Sequence, residues 1–228
     1  RADFLKLCII SILNQTEMQD NNSDIELIIV DNNSKDNTES ITKSLQPSFK
    51  TTIRYLSERK QGLSYARNRG VKEAKGQFLA FVDDDATIND MWLDKLLRGI
   101  KDINADVFGG PILPNFEIEC PKWIDKNYFI RKFREGDGYL GRISSREGFS
   151  GGNMCVKKKL FEKIGGFNIN LGMIGGKLGL GEESEFFYRV YIHSNKSKLY
   201  NLEKMAITHF EAKSKLTKEY LRKRITLS

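Results

Sequence analysis

Two short apolar runs, each ending in acid, constrain this chain most. Leu27-Ile28-Ile29-Val30 runs straight into Asp31, and Phe78-Leu79-Ala80-Phe81-Val82 into Asp83-Asp84-Asp85. Unbroken apolar runs of this length suit strands buried on both faces. Segments with helical spacing surround them. Phe4, Leu5, Cys8, Ile9, Ile12 and Leu13 fall on one helical stripe, after which a loop rich in Asp and Asn extends to Asp24. Thr38 to Leu45, Gly62 to Ala74 and Trp92 to Ile100 read as further helices, the first opened by Asp36 with Glu39 three residues on. A short strand, Ile53 to Leu56, lies between two of them. Strands alternating with helices of about ten residues predict an α/β fold with a largely parallel sheet. In open α/β sheets, ligands bind beyond the carboxyl ends of the strands. Asp31 and Asp83 to Asp85 therefore stand where a site belongs.

The second half is less regular. Ala105 to Ile112 reads as a strand ending in Gly109-Gly110-Pro111, and residues 113–148 are assigned only loosely. Gly151-Gly152-Asn153 precedes a strand at Met154-Cys155-Val156, a helix near Lys159 to Ile164 and a turn at Gly165-Gly166. Glycines 172, 175, 176, 179 and 181 predict a loop able to close over a substrate. Glu182-Glu183-Ser184-Glu185 then opens a helix through Ile192.

Composition narrows the class. With 228 residues, 39% hydrophobic and 29% charged, the chain reads as globular, one large domain or two small ones. No apolar run approaches the roughly 20 residues that cross a bilayer. Cys8, Cys120 and Cys155 are odd in number, far apart and without CxxC spacing, which argues against a disulfide framework or zinc site and for a reducing compartment. The net charge of +7 suits a polyanionic partner such as nucleic acid, anionic lipid or a nucleoside diphosphate, and equally an ordinary solvated surface. Much of the excess sits in Lys213, Lys215, Lys218, Arg222, Lys223 and Arg224.

Five motifs carry possible chemistry. Asp83 and Asp85, at i and i+2 beyond a strand, can converge on one hard cation and leave positions open for phosphate oxygens; a turn opening the next helix would use the same residues. Asp31 can accept from a nucleotide base or ribose, or simply satisfy a turn. Arg67 and Arg69 offer planar donors for a diphosphate or base, although exposed helix arginines are the plainer reading. Glu182, Glu183 and Glu185 include a candidate general base, and also suit a helix N-terminus electrostatically. His209 can be a third metal ligand beside carboxylates, though a lone histidine is more often structural.

In order along the chain, Ser11-Ile12-Leu13-Asn14-Gln15-Thr16, Glu26 to Asp31 with Asn32-Asn33-Ser34, Gly62 to Gly70, Ala74-Lys75-Gly76 and the strand into Asp83-Asp84-Asp85 resemble the family 2 glycosyltransferases of GT-A fold. Gly151-Gly152-Asn153 and Gly181-Glu182-Glu183 fit that family's acceptor half. His209 with Leu216-Thr217 and Tyr220 to Arg224 is similar to the tail of its bacterial polysaccharide branch. The resemblance implies a Rossmann-like mixed, mostly parallel sheet flanked by helices. Residues 1–112 would form the nucleotide-sugar-binding half, and 113–228 the acceptor-binding half of the same domain. The family's first strand would precede Phe4 and be missing here, with only Arg1 remaining of it.

The resemblance also assigns roles. Asp31, Arg67 and Asp83 would bind the nucleotide; Asp83 and Asp85, with His209, a divalent Mn2+ or Mg2+; Gly151, Gly152 and Asn153 the acceptor. The base would be the second acid of the pair, Glu183, which is one methylene longer than the commoner Asp, with Glu182 as runner-up. The implied reaction is inverting transfer from a nucleotide sugar, by family habit a UDP-sugar, to a hydroxyl of a glycan or lipid-linked acceptor in polysaccharide biosynthesis. The implied location is the cytoplasm, with peripheral contact at the inner face of the membrane and no nucleic-acid partner. Two rivals remain on the residues alone. A sugar nucleotidyltransferase shares the carboxylate-held metal but needs a glycine-rich phosphate loop after its first strand. A basic nucleic-acid or membrane-binding module would explain the charge, with binding that falls steeply with salt, but nothing in the chain resembles an aromatic-lined nucleic-acid platform.

Overall fold

The acid-tipped runs become strands in the computed structural model. It describes residues 1–19, 25–46, 53–140, 148–175, 177–194 and 196–227, so the end of the Asp/Asn-rich loop and Gly176 lie outside the described residues. Strands β1 (Leu27–Asp31), β2 (Ile53–Ser57) and β3 (Phe78–Val82) alternate with helices α1 (Ala2–Leu13), α2 (Thr16–Gln19), α3 (Thr38–Leu45) and α4 (Leu63–Glu73). A short strand β4 (Ala86–Ile88) follows Asp85, before α5 (Trp92–Asp102). The strand expected over 105–112 is split into β5 (Val107–Gly109) and β6 (Ile112–Phe116). The break has two causes. A Cβ on Gly110 would run into the Met205 carbonyl, and Pro111 has no N–H to continue a ladder. Later come β7 (Gly138–Tyr139), β8 (Asn153–Lys157), α6 (Lys158–Ile164), α7 (Glu182–His193), β9 (Leu199–Asn201), β10 (Ile207–Glu211) and α8 (Lys218–Leu227).

The sheet is mixed, but the expectation that it would be mostly parallel is corrected. Parallel pairs are β1–β2, β5–β9 and β6–β10; antiparallel pairs are β3–β8, β5–β8, β4–β10 and β7–β9. β3 and β5 do run in the same direction. They never pair because β8 enters between them from the second half and runs against both, giving the order β3-β8-β5-β9-β7. β1–β2 and β4-β10-β6 form separate sheets among the described residues.

Alternation along β8 divides the core in two. Cys155 faces one cluster with Leu5, Ile9 and Leu13 of α1, Trp92, Leu93 and Leu96 of α5, and Met205 and Ile207. Met154 and Val156 face the other, with Leu160 and Phe161 of α6 and Phe186, Phe187 and Val190 of α7. Each of these large apolar side chains contributes about 1.5–3 kcal/mol by leaving water. Since β8, β9 and β10 lie between or beside first-half strands, both clusters draw residues from both halves of the chain. No helix among the described residues is long and apolar enough to cross a membrane.

Candidate active site

Asp31 ends β1 and is buried. Its Oδ2 accepts from the Tyr55 hydroxyl at 2.6 Å and its Oδ1 from the Ser34 N–H at 2.8 Å. Burial pushes the carboxyl upward, but hydrogen bonds from Ser34 and Tyr55 outweigh it and hold the pKa below its ordinary value. Next to it, Asn32 donates to the carbonyls of Glu58 (3.1 Å) and Lys60 (2.7 Å) and accepts from the Gly62 N–H (2.7 Å). Asn32 thereby ties the start of α4 to the end of β1. Arg1 and Ala2 join the loops after β1 and β3. The Ala2 N–H donates to Asp36 at 3.1 Å, and the Arg1 guanidinium lies 3.2 Å from Asp84 and 3.4 Å from Asp85.

The three expected metal ligands meet. β4 pairs antiparallel with β10, placing His209 opposite Ala86 and beside Asp85. His209 Nε2 lies 3.1 Å from Asp85 Oδ1, and one ligand atom each from Asp83, Asp85 and His209 fall within 4.8 Å of one another. Behind the ring, Nδ1 lies 3.0 Å from Glu211 Oε1, and Glu211 is 3.0 Å from Lys215. Burial alone would lower the His209 pKa, but Asp85 and Glu211 raise it to about 9. Two carboxylates and an imidazole suit Mn2+ or Mg2+. A carboxylate behind the imidazole is also the usual support of a metal-bound histidine. The residues present therefore fit a divalent ion. Sequence reasoning missed Glu211, although its spacing of two from His209 on one strand puts both side chains on the same face.

Arg67 is the centre of the site. Three hydrogen bonds fix its helix: Leu63 N–H to the Met173 carbonyl (2.9 Å), Ser64 Oγ to the Leu171 carbonyl (3.0 Å) and Asn68 Nδ2 to the Phe167 carbonyl (2.8 Å). Arg67 is 8% exposed, not on the solvated face that an isolated helix would suggest. Its guanidinium reaches Glu182 at 3.1 Å, Glu183 at 3.2 Å and Asp83 at 3.5 Å, and lies 5.5 Å from the Phe167 ring centroid. One cation thus bridges the acid that ends β3 and the acid pair that opens α7. Arg69, by contrast, turns away to Glu73.

The acid pair is asymmetric. Glu183 Oε1 accepts from Arg67 and from the Gly151 N–H at 3.0 Å. Burial would raise its pKa, but Arg67 and these hydrogen bonds lower it. Glu182 is 4% exposed, and its Oε2 has no hydrogen-bond partner among the described residues. Burial, then the neighbouring Glu183, push it up to about 7. The pair thus holds one firmly ionised acid and one that readily takes a proton.

Gly151 and Gly152 leave room for the site: a Cβ on the first would displace the Arg67 guanidinium and one on the second the Asp83 carboxylate. Asn153, expected at the acceptor, has its side chain elsewhere. It is fully buried, accepts from Trp92 Nε1 at 2.8 Å, and spends both donors on the carbonyls of Pro111 (3.1 Å) and Met205 (2.8 Å). Both of its side-chain donors are taken by backbone carbonyls, so none is left for a ligand. In the glycine-rich loop, Gly172 (φ 85°) packs against Glu182.

A sequence profile described as Glycosyl transferase family 2 matches residues 1–165. The chain is 23% identical over 150 residues to the glucosyl-dolichyl phosphate glucuronosyltransferase of Haloferax volcanii, covering 65% of this chain and 48% of that protein. It is 26% identical over 169 residues to the succinoglycan biosynthesis protein ExoM of Rhizobium meliloti, covering 72% and 50%. The chain spans about half the length of these relatives. Among solved structures it is similar to S. aureus TarS 1–349 in complex with UDP-GlcNAc, with a TM-score of 0.65 and 19% identity over 92% of this chain and 55% of that one. That likeness establishes the GT-A fold, and the profile match establishes the family: the chain belongs to glycosyltransferase family 2.

Proposed function

We propose that this chain is an inverting glycosyltransferase that moves a sugar from a nucleoside diphosphate donor to a hydroxyl of a glycan or lipid-linked acceptor in polysaccharide biosynthesis. The observation that carries this reading is Arg67, which joins Asp83 to Glu182 and Glu183 through one buried guanidinium. A donor site and a base must lie this close for a single displacement. UDP is the favoured nucleotide because the similar TarS structure is described with UDP-GlcNAc. Residues 1–112 supply most donor contacts and 113–228 the acceptor side, with His209 crossing back to the donor.

Asp31 accepts from the base or ribose, and Arg67 and Asp83 orient the diphosphate end. Asp83, Asp85 and His209 would hold the divalent ion, and Glu211 fixes the imidazole. When bound, such an ion neutralises charge on the departing diphosphate. Glu183 takes the acceptor proton. Its Oε1 is occupied by Arg67 and Gly151, so Oε2 receives the proton as the acceptor oxygen bonds to the anomeric carbon. The bond from that carbon to the diphosphate breaks on the opposite face, and its electron pair leaves with the diphosphate. Glu182, buried behind, keeps Arg67 and Glu183 in place. The three buried cysteines and the sugar-nucleotide donor both accord with a cytoplasmic location.

The test is thermal stabilisation by a panel of nucleoside diphosphates with and without manganese, followed by transfer from the matching nucleotide sugars. UDP should raise Tm only with metal present, and Asp83→Asn/Asp85→Asn should abolish the shift. An unchanged metal-dependent shift in the double variant would place the site elsewhere.

A further inference from the structure

The chain's positive charge is gathered in two segments that touch. Residues 116–132 and 213–227 carry ten Lys and Arg against four acids, while the other 196 residues carry 27 against 26. One small core holds the segments together. Cys120, Ile124 and Phe129 pack on Leu216, with Phe116 and Leu221 around them. Lys218 also lies 5.7 Å from the Trp123 ring centroid. Around this core, Lys122, Lys126, Arg222 and Lys223 are exposed, and so are large apolar side chains: Trp123 at 50%, Ile118 at 47%, Tyr128 at 41% and Ile130 at 37%. An exposed tryptophan and tyrosine beside basic residues is the chemistry of a bilayer interface, where the rings sit at headgroup level and the cations meet anionic lipid. Nucleic acid would also attract the cations and the rings, but it offers nothing to the exposed isoleucines.

We propose that this basic, aromatic face docks on an anionic lipid bilayer. The patch also lies within electrostatic reach of the site. Arg131, bonded through its backbone to Ile112 (2.9 and 3.0 Å), lies within electrostatic reach of both Arg224 of α8 and Glu183. Docking by this face would bring the side of the chain that carries Glu183 toward the membrane surface, where a lipid-linked acceptor resides. That last link rests on the proposed function; the docking itself does not.

The test is co-sedimentation of the 228-residue chain with phosphatidylglycerol–phosphatidylcholine vesicles and with pure phosphatidylcholine vesicles, read together with tryptophan emission. Of the two tryptophans, Trp92 is buried with its Nε1 bonded, so an emission shift reports Trp123. Binding should require phosphatidylglycerol, weaken with salt, and shift the emission to the blue; Trp123→Phe should remove the shift. Each neutralised basic residue should weaken binding about fivefold, so Arg222→Gln/Lys223→Gln should weaken it about 25-fold. Those variants should keep the parent's melting temperature and manganese-dependent UDP stabilisation. The proposal is overturned by equal or absent binding to the two vesicle types, by a double variant that binds as the parent does, or by an emission shift that survives Trp123→Phe. Tighter binding to duplex DNA than to vesicles, lost in the same double variant, would reassign the face to nucleic acid. None of these outcomes touches the glycosyl-transfer reading, which the nucleotide-stabilisation experiment tests alone.

Discussion

Arg67→Met should destabilise the fold severely, and more so at alkaline pH. The change keeps a long side chain but removes the cation that Glu182, Glu183 and Asp83 share at 3.1, 3.2 and 3.5 Å. Arg67 and Glu182 are buried and Glu183 is partly so, so water cannot replace the lost partner fully. Breaking a buried pair by deleting one member costs about 3–5 kcal/mol. For a domain of this size that is roughly 6–20 °C in Tm. The pH dependence follows from the acids left behind. Without Arg67, the folded-state pKa of Glu182 rises further above its unfolded value, and Glu183 loses the cation that holds its pKa down against burial, so it rises too. Groups with raised folded pKa values cost stability as the pH climbs through them, and the cost disappears once both states are protonated. Urea unfolding at pH 8 and pH 5 measures this, with Arg67→Lys as a milder variant that keeps charge but cannot bond three carboxylates at once. A loss below about 1 kcal/mol, or equal losses at both pH values, would refute the reasoning.

Three further outcomes are expected. Glu183→Gln should leave manganese-dependent UDP binding nearly intact and cut transfer by about 10²–10⁴-fold; a near-parental rate combined with a dead Glu182→Gln would move the base to Glu182. Glu182→Gln should stabilise the fold by about 1–3 kcal/mol at pH 8 and by nothing at pH 4.5. The sign follows because Glu182's folded pKa, about 7, lies above its unfolded value, so its contribution is present at low pH and lost as the pH rises through 7. A urea midpoint no higher at pH 8 than the parent's contradicts this. Asn153→Ala should cost about 2–4 kcal/mol, measured by denaturation, because Trp92 Nε1 and the Met205 carbonyl lose buried partners; unchanged stability with impaired acceptor use would return Asn153 to the acceptor site.

Local pattern was sufficient for the elements with strong periodicity or unbroken apolar runs. β1, β3, α3, α4, α5 and α7 appear within a residue or two of where the sequence places them. The same pattern put acids at the carboxyl ends of β1 and β3. Short strands escaped it. β4 and β9 have three residues each, too few to show a period of two, and only pairing with distant strands makes them strands at all. Strand direction escaped it for the same reason. That β8 would enter between β3 and β5 depends on packing Met154 and Val156 on one side and Cys155 on the other, which no neighbouring residues encode.

For the site, residue type and spacing nominated Asp83, Asp85 and His209, since hard-cation chemistry needs carboxylates at strand ends. They could not decide the fate of Arg67 or Asn153. An arginine on an amphipathic helix reads as solvated and an asparagine after two glycines reads as a loop residue, until the chain closes over them. Burial and partnership are properties of surfaces brought together from residues roughly 40 to 120 positions apart. A charge or amide pulled from water is tolerated only where such distant groups meet it with hydrogen bonds. The sequence alone therefore offered the polar groups, and the tertiary structure decided which of them are buried against distant partners and which are left open, because only packing sets their surroundings.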